Sequence, residues 1–391
     1  MTITFWSVKC DLLVSTVEHY TTVLWKFGTF IAIIDPTFIV MKKKKVFFIV
    51  SSLSAGGAER VFWLISQGFD KSKYEVSIIL FNSNNAFFSM DLEGVHVVDL
   101  KTIKASLSFP KLYKLIRKER PHAIFGTGNH INFLISFVSF FVKIPYIIAR
   151  PSSISAEIHQ FSNLKGKVFD KFTRLFFRNF NTIICQSDEI RNSLSRVYKI
   201  NSSQMVVIPN PVVVSPVIKN GKGNNRLIIV GRLTEVKGHR RLLDIFSMLP
   251  ECYSLSMAGD GELKEYLIEK AENLNIASRV QVLGQVSNVI DVISTHDVLL
   301  LTSHTEGFPN VVLESLSVGV PVVTFRVGGV SNFLIDDFNG YIVEQDDLIG
   351  FRNAIEKASK KEWKHNEIKM DIQARFSLEK VVSMYEDLIE N

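Results

Sequence analysis

The chain has 391 residues, of which 47% are hydrophobic and 21% charged, and carries a net charge of +6; this suits two domains with substantial cores. The mild basic excess favours an anionic partner such as a membrane surface or a phosphorylated lipid, and no zinc-finger or RNA-recognition pattern supports nucleic acid instead. Cys10, Cys185 and Cys252 are odd in number and widely spaced, so neither a disulfide framework nor a zinc site follows, and a reducing, cytoplasmic setting is expected.

Residues 1–40 differ in character from the rest of the chain. Their best apolar run, 23–40, is interrupted by Lys26, Asp35 and Pro36, so no spanning helix is expected. Nor does a basic leader precede a clean apolar core, as a signal peptide requires. Met41-Lys42-Lys43-Lys44-Lys45 ahead of the apolar run 46–50 reads as a natural start. Translation is therefore expected to begin at Met41, with 1–40 as an extension; the N-terminal mass of the native protein tests this. From there, strand-like runs at 46–50, 75–81, 95–100, 123–125, 146–149, 182–185 and 206–208 alternate with helical patterns. Such alternation predicts βαβ units and a mostly parallel sheet.

Three loops of this half bear chemistry. The first strand runs into Gly56-Gly57-Ala58-Glu59-Arg60, where two glycines let a backbone approach a ligand or simply make a tight turn. The spacing is neither that of a dinucleotide fingerprint nor that of a Walker A loop. The run 123–125 leads into the glycine-containing loop Gly126-Thr127-Gly128-Asn129-His130, where Asn129 or His130 by itself reads as a cap on the next helix. Arg150 closes the run 146–149, where by itself it reads as a solvated or salt-bridged surface arginine. Further on, 161–180 reads as an amphipathic helix. Leu164, Val168, Phe172 and Leu175 lie on one side, and Lys167, Lys171, Arg174 and Arg178 on another. The apolar stripe is expected to pack on its own domain and the basic face, with the basic stretch 109–120, to meet anionic lipid.

Ile208-Pro209-Asn210-Pro211-Val212 and the polar stretch 219–225 read as an interdomain linker. A second series of strands is expected at 227–230, 253–258, 280–283, 298–301, 321–325 and 341–343. The first leads into Gly231-Arg232-Leu233-Thr234-Glu235-Val236-Lys237-Gly238, whose Arg232 and Lys237 could clamp a diphosphate. Gly259-Asp260-Gly261 and Val327-Gly328-Gly329-Val330 read as turns. The run 298–301 leads through Ser303-His304-Thr305-Glu306-Gly307-Phe308-Pro309-Asn310 into a helix carrying Glu314. Glu306 thus sits at the carboxyl end of a parallel strand, where open α/β sheets bind ligands. Glu314 lies about two turns further on, in a helix whose N-terminus suits an anion.

The run from Glu306 to Glu314 resembles the E-G-F-P-N-x-x-x-E signature of retaining glycosyltransferase family 4. The loops at 56–60, 208–212 and 231–238 are similar to that family's G-G-A-E-R, I-P-N-x-V and G-R-L-x-x-x-K-G motifs. The resemblance covers 46–389 and implies an α/β protein of GT-B fold, with two Rossmann-like parallel-sheet domains facing across a cleft. On that basis 41–211 is expected as the acceptor-binding domain, 212–225 as the linker and 226–376 as the nucleotide-sugar domain; the segment 377–391 would pack back across both. The resemblance also implies roles. Arg232 and Lys237, with Gly56 and Gly57, would meet the donor phosphates. Glu306, Gly307, Phe308, Pro309, Asn310 and Glu314 would meet the donor sugar and ribose. His130 would act with Glu306 at the reacting sugar and lie with Arg150 on the acceptor side, and the loop 284–288 would contact the donor base. No metal or other cofactor is expected, since no Asp-x-Asp motif is present and the two cations would stabilise the leaving diphosphate. The implied reaction is transfer from a nucleotide-sugar, UDP-linked by family frequency, to a glycan or lipid-linked acceptor of capsule, O-antigen or lipopolysaccharide synthesis. Its setting would be peripheral, on the inner face of the cytoplasmic membrane. A GT-B sugar-nucleotide epimerase and a non-catalytic sugar-nucleotide-binding subunit are the alternatives.

Overall fold

The structure is a computed structural model. It describes residues 12–17, 20–27, 30–34 and 42–390, apart from 55, 85, 103–104, 152–173, 214 and 220–224. Most of the amphipathic stretch expected at 161–180 therefore lies outside the described residues, as does Met41. The chain divides into two compact units, 1–44 and 45–391.

The first unit holds three strands that the sequence pattern had not suggested: β1 (Leu12–Val17), β2 (Tyr20–Phe27) and β3 (Phe30–Ile34). They form an antiparallel sheet in chain order, with Val17 opposite Tyr20 and Phe27 opposite Phe30. Threonine, valine, isoleucine and aromatic side chains favour such pairing.

The second unit contains two open parallel sheets. In chain order the first half comprises β4 (Lys44–Val50), α1 (Gly57–Gly68), β5 (Tyr74–Leu80), β6 (Val95–Asp99), α2 (Ala105–Glu119), β7 (Ala123–Thr127) and α3 (Asn129–Ser139). β8 (Tyr146–Arg150), β9 (Thr182–Cys185), α4 (Asp188–Tyr198) and β10 (Met205–Val207) complete it. The seven strands lie in the order β10-β9-β8-β7-β4-β5-β6, and the registered pairs are parallel. Helices covering both faces explain why β4 is buried without interruption from Val46 to Val50.

The second half comprises β11 (Arg226–Val230), α5 (His239–Ser247), β12 (Ser254–Ala258), α6 (Lys264–Asn273), β13 (Val280–Gly284), α7 (Val289–Ser294) and β14 (Val298–Leu301). Next come α8 (Asn310–Ser317), β15 (Val322–Phe325), β16 (Gly340–Val343), α9 (Leu348–Lys360) and α10 (His365–Phe376). Its six strands run β13-β12-β11-β14-β15-β16, again parallel. Each strand expected from residue 46 onward is found within two residues of its predicted limits.

The chain order reverses once in each sheet, between β4 and β7 in the first and between β11 and β14 in the second. At such a switch point the loops leaving two adjacent strands diverge and open a crevice at their carboxyl ends.

Two crossings join the halves. The segment after β10 enters the second half, where Val212 is buried in its core and its amide donates to Phe376 O at 2.8 Å. The chain returns beside it, with Val212 bridging to Ser377. It then forms α11 (Leu378–Glu390), whose Val381, Val382, Tyr385 and Ile389 enter the core of the first half. Gly68 admits this helix, because a Cβ there would lie 2.6 Å from Val382 Cγ2. The stretch read as a linker is, where described, held down: the Lys219 amide donates to Val318 O, and its ammonium is buried against Asp297 at 2.8 Å. No helix among the described residues is long and apolar enough to cross a membrane.

Candidate functional site

At the switch point of the second sheet, the loop after β11 is bent by Gly231 and anchored by buried Leu233. It returns to the loop after β14 at Gly238. Gly238 adopts φ +67°, and any Cβ on it would overlap the Thr302 carbonyl. This close approach lets Thr302 Oγ1 donate to the Lys237 and Gly238 carbonyls at 3.2 and 3.1 Å. Lys237 Nζ is thereby held 2.6 Å from Glu306 Oε1, the oxygen that also accepts from Ser303 Oγ at 2.6 Å. The two sequence-predicted residues thus meet directly. Arg232, earlier on the same loop, is exposed.

Arg241, which the sequence pattern did not single out, fixes this loop from behind. Its guanidinium donates to Thr302 O at 2.8 Å and Ser303 O at 2.7 Å and lies over the Phe325 ring. The available signal was an arginine on the same helical face as buried Leu242 and Ile245. His239 Nε2 donates to Arg232 O at 3.0 Å, and burial pushes its imidazole below the ordinary value, so the neutral form holds this contact. Within the E-G-F-P-N run, Phe308 packs edge-on against Phe333 and Pro309 is buried. They anchor the motif to its own domain. Gly328 approaches the run so closely that a Cβ there would lie 2.5 Å from Glu306 O. The stretch read as a turn is therefore the support of the Glu306 backbone.

The first sheet's switch point faces this one. The first turn of α1 and the His130 loop share a cavity of about 200 Å³ lined by Ser51, Ala58, Glu59 and Thr127 to His130; Gly56 and Gly57 precede Ala58 in the chain and are not on the lining. That is below the roughly 300–1,000 Å³ of whole-ligand pockets, so it suits one polar group of a ligand. Burial lowers the His130 pKa, opposed by the nearby Glu59 carboxylate; the neutral imidazole is favoured at pH 7.

Asn310 spans the cleft, donating to Gly57 O at 3.0 Å and accepting from Asn210 Nδ2 at 2.5 Å. Asn210 in turn accepts from Arg150. Glu314 forms an ion pair with Arg60 of α1 across the same cleft. On another rim, Ser331 Oγ and Asn332 Nδ2 donate to Glu189 at 2.8 and 3.3 Å.

Arg150 is 3% exposed, which removes the surface reading. It lies beneath the cavity rather than on its lining, bonded also to Thr127 and Tyr385, and reaches the opposite domain through Asn210. Among the described residues no group of three or more His, Cys, Asp or Glu side chains is placed to hold a metal ion. Chemically, the crevice brings cations, carboxylates and the N-terminus of α8 together, split between two walls that touch through Asn310–Gly57 and Glu314–Arg60.

The model described as Glycosyltransferase Family 4 matches residues 55–215, and that described as Glycosyl transferases group 1 matches residues 215–375. The chain is 26% identical over 331 residues to a Campylobacter jejuni protein. That protein is named GalNAc-alpha-(1->4)-GalNAc-alpha-(1->3)-diNAcBac-PP-undecaprenol alpha-1,4-N-acetyl-D-galactosaminyltransferase, and the match covers 80% of this chain and 88% of that one. It is 24% identical over 314 residues to the amylovoran biosynthesis glycosyltransferase AmsD of Erwinia amylovora, covering 77% and 86%. Among solved structures it is similar to Anabaena HepE in complex with UDP, with a TM-score of 0.71 at 18% identity, covering 88% of this chain and 98% of that one. The fold is GT-B.

Proposed function

The chain belongs to the family-4-like glycosyltransferases, and from that premise we propose that it moves a sugar from a UDP-sugar to a lipid-linked glycan, with retention, in bacterial surface polysaccharide synthesis. The observation that carries the reading is the Lys237–Glu306 contact at the second switch point. A cation and a carboxylate that satisfy each other can exchange partners when a sugar diphosphate arrives. Lys237 and Arg232 then take the diphosphate, with the amides at the start of α8, and Glu306 turns to hydroxyls of the transferred sugar. Glu314 leaves Arg60 for the ribose, which couples donor binding to movement of the opposite wall. His130 meets the reacting sugar or acceptor from the other side of the cleft. On a same-face route the departing phosphate oxygen takes the acceptor's proton, so the anomeric configuration is kept without a protein base.

The UDP complex of the Anabaena neighbour supports the donor, and the names of the Campylobacter and Erwinia relatives support the acceptor and the process. The proposed setting is the cytoplasmic face of the membrane, with anionic lipid against the basic surface of the first half. A thermal-shift panel of UDP-, GDP- and ADP-sugars should show stabilisation by a UDP-sugar, and NMR of the product should show the donor's anomeric configuration. Preference for another base or an inverted product would overturn the reading.

Two further outcomes are expected. Because fixed cations are proposed to hold the diphosphate, EDTA should leave the transfer rate unchanged within about twofold; abolition restored by a divalent cation would contradict this. Gly328→Ala should shift the Glu306 backbone and cut kcat about tenfold or more. The loss should exceed what any fall in Tm explains, and unchanged kcat would refute the role given to Gly328.

A further inference from the structure

Helices α2 and α3 lie side by side on the first half and share a seam of aromatic rings. Phe109 is 5.2 Å from Phe137 and 5.8 Å from Phe141, and Phe137 is 5.4 Å from Phe141, centroid to centroid. The seam does not close into a core. Phe137, Phe140 and Phe141 are 44%, 63% and 58% exposed, and Leu107 on α2 is 60% exposed. Isolated apolar residues at a surface are ordinary, but neighbouring aromatic rings forming one patch mark a contact.

Charge selects the occupant. Between 105 and 143 the chain has a single acidic residue, Glu119, which pairs with Lys45 at 2.5 Å and, on its other oxygen, with Lys118 at 3.5 Å. Lys114, Arg117, Lys118, Arg120 and Lys143 are all basic, and Arg117, Lys118 and Lys114 stand on α2 itself. Arg117 donates to Tyr113 OH at 3.3 Å, and Tyr113 stacks near Phe109 at 6.1 Å, so the cations border the rings directly. Aromatic rings flanked by lysine and arginine suit the boundary between lipid headgroups and acyl chains, where each group finds its own solvent.

The patch is also tied to the site. α3 carries His130 in its first turn, on the cavity, and ends at Ser139 beside Phe140. Ten residues of helix cover about 15 Å, so a headgroup raised from a surface touching Phe140 lies within one helix length of the cavity.

We propose that Phe137, Phe140, Phe141 and Leu107, with the cations beside them, form the surface by which this protein docks on an anionic bilayer, presenting the His130 cavity to an acceptor held there. This rests on the proposed lipid-linked acceptor, and it adds the aromatic α2–α3 face to the basic stretch 109–120.

The test is flotation of the full chain with phosphatidylcholine vesicles, with and without phosphatidylglycerol. The native chain should float with the anionic vesicles. Phe140→Ser/Phe141→Ser should partition about tenfold more weakly with an unchanged Tm, since both rings are mostly exposed. Lys114→Gln/Arg117→Gln/Lys118→Gln should lose the preference for phosphatidylglycerol. If native and Phe140→Ser/Phe141→Ser chains float equally, this assignment of the surface fails and the membrane reading survives. If the native chain does not float, both fail. If light scattering shows a dimer that Phe140→Ser/Phe141→Ser dissolves, and no vesicle binding, the patch belongs to a second copy and the proposal is overturned.

Discussion

Lys237→Ala should lower kcat for sugar transfer by about 10²–10³-fold, the cost of removing one preorganised charge partner of a developing anion. Lys237 sits at the second switch point on a loop immobilised by Gly238 against the Thr302 carbonyl and by Arg241 behind it. Its charge therefore needs little reorganisation when the leaving diphosphate becomes more negative. Glu306→Gln should be comparably severe in kcat, since it keeps the shape but removes the charge proposed to face the transferred sugar. Stability should change little in either variant. The pair is partly exposed, at 27% and 12%, and solvent screens such pairs to about 1 kcal/mol or less. The measurement is kcat and KM for the stabilising UDP-sugar together with Tm. A change in KM alone would mean that Lys237 binds substrate and transition state equally, contrary to the proposal.

The largest effect on stability is expected at Lys219. Its ammonium and the Asp297 carboxylate are 2% and 6% exposed and 2.8 Å apart, and Asp297 also accepts the Arg226 amide at 2.8 Å. Lys219→Met leaves a carboxylate buried without its cation, which costs about 3–5 kcal/mol and lowers Tm by about 10 °C. Lys219→Met/Asp297→Asn should recover part of the loss, because the asparagine keeps the amide's acceptor and removes the stranded charge. Chemical denaturation measures both. A Lys219→Met variant within about 1 kcal/mol of the native chain would show that water reaches this pair. The pair also explains why a polar stretch that reads as a linker is held against its domain where it is described. A lysine beside glycines and asparagines looks solvated until the fold supplies Asp297, 78 residues on.

Legibility tracks the range of the interaction. The parallel strands could be read because each is buried on both faces and so appears as an apolar run bounded by turns, as at Val298–Leu301. The pairing of Lys237 with Glu306 could be expected as two halves of one motif set, although not as a direct contact. Arg150 was ambiguous because a strand-end arginine has the same local sequence whether it faces water or Asn210. Arg241 and Arg60 were not read as partners because each finds its acceptor on an element distant in the chain. The antiparallel strands within 12–34 escaped because their mixed composition does not alternate cleanly, and pairing there is visible only once the register is known.

By itself, then, the sequence determined the two series of βαβ units, the family, and which charged residues stand in the loops after the strands. These depend on periodicity and on residue types within a few positions of each other. Only the tertiary structure decided which of those charges meet. It set Glu306 on Lys237, Glu314 on Arg60 and Asn310 between Gly57 and Asn210, buried Arg150, and returned α11 to the first half. The physical reason is that a charge's partner is fixed by where two sheets reverse their strand order and by how closely glycines let their loops approach. Neither is a property of any local stretch of chain.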